Sequence, residues 1–247
     1  MRAPLPTRMA PSPIIPRSSL ALRRIALLEG LSDQRLDLLA QQCLWHSVEA
    51  GTPLLLRAEQ QGDVFLLVSG RVRVTTYSAN GRQVTFRDSE AGEHFGDIAA
   101  IDGGPRSADV VTLEPSVLAS LDRTAFMALL REEPVVAERV MRRLASLVRQ
   151  LSERVIDLST LGVQNRLHAE LLRLARATGV EGNQARLEPA PKHAALASQI
   201  STNREQVTRE LNVLVRSGVL RKDGKALLVA DAARLERMVS QVRGDAG

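Results

Sequence analysis

The spacing of apolar residues along this 247-residue chain changes twice. Over residues 20–28 and 32–43 they return at three- and four-residue steps. That predicts two short amphipathic helices, with Ser32 as the N-cap of the second. Over residues 48–121 the period falls to two. Residues 65–68 (Phe-Leu-Leu-Val) form an unbroken apolar run, a buried strand. Arg71-Val72-Arg73-Val74 alternates, and Val84 and Phe86 continue the alternation beyond Ser78-Ala79-Asn80-Gly81, a hairpin turn. Gly51, Gly62, Gly70, Gly81, Gly92 and Gly96 recur about every ten residues, the rhythm of a small antiparallel roll or barrel.

The helical period then returns. Residues 135–161 hold no Gly or Pro, and Pro134 suits a first helical turn. Ala137, Val140, Leu144, Leu147, Leu151, Val155 and Leu158 make a heptad-like seam with one irregular step. One helix cannot bury that seam alone, so it packs on the roll or pairs with a copy of itself. The flanking Arg142, Arg143, Arg149 and Arg154 favour a solvated outer face and a parallel dimer. Gly162 then breaks the helix and reads as a hinge. Beyond it, residues 164–177, 192–199 and 203–216 are helical, and Gly218 stops the last of them. Residues 219–229 read as two strands around Asp223-Gly224. Two close helices followed by a hairpin form a winged helix-turn-helix. The fold class is therefore α+β: an N-terminal antiparallel β-roll, a long helix and a C-terminal winged helix-turn-helix.

Composition narrows the function. No run of about 18 apolar residues exists, so no membrane span is expected. Residues 1–18 hold five of the eleven prolines, three arginines and no acid. They are expected to be a disordered basic tail rather than a secretory signal. The single Cys43 excludes an internal disulfide and a four-cysteine cluster, and it fits a cytoplasmic protein. His46, His94, His168 and His193 lack metal-ligand spacing, so no metal is expected. No nucleophile–base constellation is visible, which argues against an enzyme. Residues 163–247 carry 14 Lys+Arg against 9 Asp+Glu, and all six Phe, Tyr and Trp residues precede residue 127. A basic domain without aromatics does not stack on single-stranded bases, but it fits a duplex backbone.

In the helix-turn-helix, Leu196 and Ile200 are expected to pack beneath Val207, Leu211 and Leu214. That leaves Arg204, Glu205 and Arg209 on one outward face near a helix N-terminus. Arginine in a major groove matches guanine O6/N7, and glutamate matches cytosine N4. Asn203, Thr208, Lys222 and Lys225 are placed for phosphates. The bland reading of the helix is an exposed Glu205–Arg209 ion pair.

From about residue 31 to residue 230 the chain resembles the cAMP receptor protein (Crp/Fnr) family of bacterial transcription regulators. The likeness rests on the glycine-punctuated roll, the long helix, and Asn203-Arg204-Glu205-Gln206-Val207-Thr208-Arg209. It implies a cyclic-nucleotide-binding roll (residues 19–133), a dimerisation helix (134–161) and a DNA-binding domain (162–247). It also gives roles to a loop. Asp97, beside the Gly96 backbone, would bind a ribose 2′-hydroxyl. Arg106 would pair with a cyclic phosphate, and Ser107 would add a donor. Members usually carry Glu at Asp97, and a base-binding Thr-Ser pair where this chain has Leu151-Ser152. cAMP is the first choice of effector, with cGMP or cyclic di-GMP as alternatives. Leu151 on the apolar seam is expected to strengthen the dimer helix without ligand. The partners implied are double-stranded DNA with a palindromic TGTGA-like site, a second copy of the chain, and RNA polymerase. A cyclic-nucleotide sensor that does not bind DNA is the alternative of another class.

Overall fold

The computed structural model describes residues 18–77 and 83–243. The expected tail, apart from Ser18, and the Ser78-Ala79-Asn80-Gly81 turn lie outside them. The chain divides into two compact units at Ser146/Leu147.

In the first unit, α1 (Ser19–Leu22), a 3-10 turn (Ala26–Leu28) and α2 (Asp33–Gln42) precede eight strands. These are β1 (Leu44–Val48), β2 (Pro53–Leu55), β3 (Val64–Ser69), β4 (Arg71–Tyr77), β5 (Gln83–Glu90), β6 (His94–Phe95), β7 (Asp109–Thr112) and β8 (Ser116–Leu121). A short helix, α3 (Asp97–Asp102), lies between β6 and β7; α4 (Arg123–Glu132) and then α5 (Pro134–Thr160) follow β8, and α5 crosses the unit boundary at Ser146/Leu147. Ser32 caps α2 as expected, its Oγ accepting from the Arg35 N–H.

Two antiparallel four-stranded sheets form the roll, ordered β1-β8-β3-β6 and β2-β7-β4-β5. Between them lie Phe65, Leu67, Val72, Phe95, Val110 and Leu118, with Phe65 stacked on Phe95 at 5.3 Å. The other face of β3, Val64 and Leu66, packs with Leu22, Leu39, Phe126, Leu129, Val136 and Val140 from the helices. β3 is thus covered on both sides, which is why its sequence runs apolar instead of alternating. Gly70 turns the chain from β3 to β4 with φ +91, and a Cβ there would sit 2.7 Å from the Pro115 carbonyl oxygen. No L side chain fits that position.

The seam of α5 is used in halves. Val136 and Val140 are buried and Leu144 packs against the same core, whereas Leu151, Val155 and Leu158 are exposed. Two of its arginines are not the solvated charges the sequence suggested. Arg143 is ion-paired with Asp97, and Arg154 Nη2 donates to the Gln199 carbonyl at 2.7 Å.

The second unit contains α6 (Val163–Thr178), β9 (Ala185–Leu187), α7 (His193–Gln199), α8 (Arg204–Arg216), β10 (Leu220–Asp223), β11 (Ala226–Val229) and α9 (Ala232–Arg243). Its sheet order is β10-β11-β9. Leu196, Ile200, Val207, Leu211 and Leu214 share one core with Leu167, Leu171, Val229 and Leu235, so the apolar face of the helix-turn-helix is the one expected. α8 begins at Arg204 because Asn203 Oδ1 accepts from the Gln206 N–H at 2.8 Å and caps it. Gly162 has φ −62 and ψ 161 as the N-cap of α6, and a Cβ there would meet open space. Glycine is therefore not required by the backbone. The break is bridged instead by Arg166, which donates to the carbonyls of Leu161 (2.8 Å) and Ile200 (3.0 Å).

His168 on α6 is 2 % exposed, and neither ring nitrogen has a hydrogen-bond partner among the described residues. Burial pushes its pKa below 6.5. The unfolded chain therefore takes up a proton that the fold refuses. Stability of this unit should fall as pH drops through 6.5 towards the lowered value. Thermal melts of the wild type and His168→Leu between about pH 8 and about pH 5 check this. The variant should lose that part of the pH dependence, and identical profiles would contradict the assignment.

Candidate functional site

β6 ends at Phe95, and Gly96 turns the chain into α3 with φ +89. A Cβ at Gly96 would lie 2.7 Å from the Asp63 carbonyl oxygen and 2.9 Å from Arg106 Nη1. The glycine is required because the Arg106 guanidinium passes against it. Arg106 is only 3 % exposed. Its Nη1 donates to the Gly96 carbonyl (3.0 Å) and its Nη2 to the Asp63 carbonyl (2.8 Å). Its backbone is fixed from both sides, the N–H donating to the Glu59 carbonyl and the carbonyl accepting from the Ala58 N–H. Nε has no hydrogen-bond partner among the described residues. Burial lowers the guanidinium's pKa, opposed by the charges of Asp63 and Glu59. An arginine still stays protonated at neutral pH. The site thus holds a buried cation whose hydrogen-bond partners among the described residues are neutral carbonyls and whose remaining N–H groups suit an oxyanion. Ser107 beside it is exposed.

Asp97 is not paired with Arg106. It opens α3, is 5 % exposed, and its Oδ2 lies 2.8 Å from Arg143 Nη1 on α5. His94 Nε2 stands 3.6 Å from the same oxygen, an ion-pair separation too long for a hydrogen bond. Burial works against the charge of Asp97, but His94 and Arg143 outweigh it and hold the carboxyl at about 2. Burial also dominates at Arg143 and lowers its pKa, so the pair stabilises less than Asp97 alone suggests. Around it, Arg87 Nη1 pairs with Glu93 Oε2 at 2.7 Å, and burial lowers the His94 pKa.

Arg143 is the residue that the sequence reading missed. Its stripe was visible: Arg139, one turn earlier, also turns back to the first unit and donates to the Leu27 carbonyl of the 3-10 turn at 3.2 Å. From the unfolded value of 3.8 down to about 2, the Asp97 interaction amounts to at most about 2 kcal/mol. Because the folded pKa is depressed, that stability is complete above pH 3.8 and is lost as pH falls towards 2. Arg143→Met should be less stable than wild type near neutral pH and should lose less stability between pH 3.8 and about 2, because its Asp97 is no longer held so far below the unfolded value. An equal loss over that window in both proteins would contradict the pairing.

The other pocket candidates, Leu151 and Ser152, are on α5 in the second unit, and Ser152 Oγ donates to the Val148 carbonyl at 2.9 Å. They are exposed.

On the helix-turn-helix, Arg204, Glu205, Thr208 and Arg209 line one open concavity together with Asn212, which the sequence reading did not single out. Asn212 follows Glu205 and Thr208 at seven- and four-residue steps, so helical spacing alone would have added it. Glu205 and Arg209 form no ion pair among the described residues, so their charges are not spent on each other. Thr208 Oγ1 donates to the Arg204 carbonyl (2.9 Å) and meets His193 Nδ1 at 2.7 Å. Asn203 is committed through Oδ1 to its cap. Lys222 and Lys225 are exposed on and beside the β10–β11 hairpin, while Asp223 between them is tied to Arg186.

The model of the cyclic nucleotide-binding domain matches residues 45–133, and that of the Crp-like helix-turn-helix domain matches residues 165–238. The cyclic AMP receptor protein of Thermus thermophilus is 31 % identical over 212 residues, 86 % of this chain and 95 % of that protein. The chain belongs to the Crp/Fnr family of transcription regulators. A CRP-like cAMP-activated global transcriptional regulator from Mycobacterium tuberculosis is 25 % identical, covering 87 % of this chain and 97 % of its own. A solved CooA variant from Carboxydothermus hydrogenoformans aligns with a TM-score of 0.72 at 23 % identity, over 82 % of this chain and 90 % of that one. This Crp/Fnr protein thus combines a cyclic-nucleotide-binding roll with a DNA-binding helix-turn-helix. Among its described residues no helix is long and apolar enough to cross a membrane.

Proposed function

We propose that this Crp/Fnr regulator binds DNA as a homodimer under the control of a cyclic nucleotide, with cAMP the first choice. The observation that carries the pocket is Arg106: a guanidinium 3 % exposed, hydrogen-bonded to carbonyls and with Nε unmet. A cyclic phosphate is the anion that completes it, with Ser107 and the Gly96 backbone alongside. Asp97 takes the ribose hydroxyl through the oxygen that Arg143 does not hold. Arg143 serves as a positioning residue, keeping that carboxylate charged and oriented.

Dimerisation follows from α5, whose exposed Leu151, Val155 and Leu158 extend a seam already buried at Val140. A two-fold dimer reads a palindrome with half-sites about one helical turn apart. Arg204, Glu205 and Arg209 read a TGTGA-like half-site, and Asn203, Lys222 and Lys225 meet phosphates; Thr208, expected from the sequence to do the same, has its one proton on the Arg204 carbonyl. RNA polymerase is the further partner, the cell compartment is the cytoplasm, and the protein is not an enzyme.

cGMP and cyclic di-GMP remain the alternative effectors, since Leu151 has no hydrogen-bonding group for a base edge. Regulation without any nucleotide is the second reading, and the Arg143–Asp97 pair favours it, because the pocket acid already has a counter-charge. Isothermal titration calorimetry with cAMP, cGMP and cyclic di-GMP separates these. Heat with cAMP at micromolar affinity supports the first choice, and no heat with any of the three removes the pocket.

A further inference from the structure

His193 lies outside the set of residues proposed to read DNA, and its hydrogen bonding fixes its chemistry. It is the first residue of α7, half-buried, with Nδ1 2.7 Å from Thr208 Oγ1 on α8. The Thr208 hydroxyl has one proton, and that proton goes to the Arg204 carbonyl at 2.9 Å. Thr208 Oγ1 must therefore accept from His193, which places the imidazole proton on Nδ1. In the neutral ring Nε2 is then a bare acceptor, unable to donate to an anion and repelled by one. A second proton has only Nε2 to occupy, and it turns that nitrogen into a cationic donor.

The surroundings favour an anionic partner. The charges that reach the ring are Arg204 from α8 and Lys222 from the β10 strand of the wing; Lys192 precedes it on its own element. Of the acids on those elements, Glu205 lines the concavity beside Arg204 and Asp223 is tied to Arg186. In the absence of DNA these cations and burial disfavour a charged ring, pulling its pKa below 6.5. A phosphate alongside reverses the balance.

Resting on the DNA-binding reading above, we infer that His193 is a proton-dependent contact to the DNA backbone, donating from Nε2 to a phosphate only when the ring is charged. DNA affinity should then rise as pH falls, because binding takes up a proton between the free and bound pKa values. The effect belongs to the backbone and is the same on any sequence.

The test is fluorescence anisotropy of the full chain on a short random-sequence duplex at low salt, at several pH values from about 7.5 to about 6. Wild-type affinity should rise about fivefold or more over that range, with the salt slope steepening by about one. His193→Gln, which keeps a donor for Thr208 but cannot titrate, should lose most of the rise. His193→Lys should bind tightly at every pH. Circular dichroism confirms that both variants fold. The same pH response in His193→Gln as in wild type, or a flat wild-type response, overturns the inference while leaving DNA binding intact. No binding at any pH overturns the DNA-binding reading as well.

Discussion

Lysine in place of Arg106 is expected to weaken cyclic-nucleotide binding about 100-fold while leaving the DNA-binding unit intact. Lysine keeps the charge but presents three rotatable donors where arginine presents a planar fork. In this fork Nη1 and Nη2 hold the Gly96 and Asp63 carbonyls at 3.0 and 2.8 Å, and Nε is left without a partner among the described residues. An ammonium group cannot hold two carbonyls and still present an ordered donor pair. The loss corresponds to about 3 kcal/mol, within the range for breaking a buried, hydrogen-bonded charge contact. Nucleotide calorimetry on Arg106→Lys measures it. A thermal melt and binding to a random duplex show whether the roll and the helix-turn-helix remain folded. Wild-type affinity in a folded Arg106→Lys protein would place the phosphate elsewhere.

The second large effect is at Arg204. Arg204→Ala should cost about 1–3 kcal/mol on a TGTGA-type palindrome and little on random DNA, because a bidentate arginine–guanine contact carries sequence information and a phosphate contact does not. Arg204 is the first residue of α8, after the Asn203 cap, at the helix end proposed to enter a groove. Gel-shift titrations on both duplexes give the ratio. Equal weakening on the two would make Arg204 a backbone contact and move base reading to Glu205, Arg209 and Asn212.

The sequence was legible where a contact repeats. The α5 seam, the strand rhythm and the buried face of Leu196, Ile200, Val207, Leu211 and Leu214 each recur at a fixed spacing, and the structure has them. Single contacts between distant residues left no such trace. Arg143 looked like one more solvated arginine, yet it lies against Asp97, 46 residues earlier in the chain. β9 is three residues with a charged centre, and only pairing with β11 makes it a strand. α3 is six residues between two glycines, too short for a helical period to show. Asp97 and Arg106 lie nine residues apart yet do not pair: Arg106 turns to carbonyls, and Asp97 pairs with Arg143 on a helix from beyond the roll.

Nucleotide control of sequence-specific DNA binding is tested most directly by titrating the full chain onto a TGTGA-type palindromic duplex and a scrambled one, each with and without saturating cAMP. Affinity for the palindrome should rise at least about tenfold with cAMP, with no such rise on the scrambled duplex. Equal affinity for the palindrome with and without cAMP, repeated with cGMP and cyclic di-GMP, would contradict a nucleotide-controlled regulator.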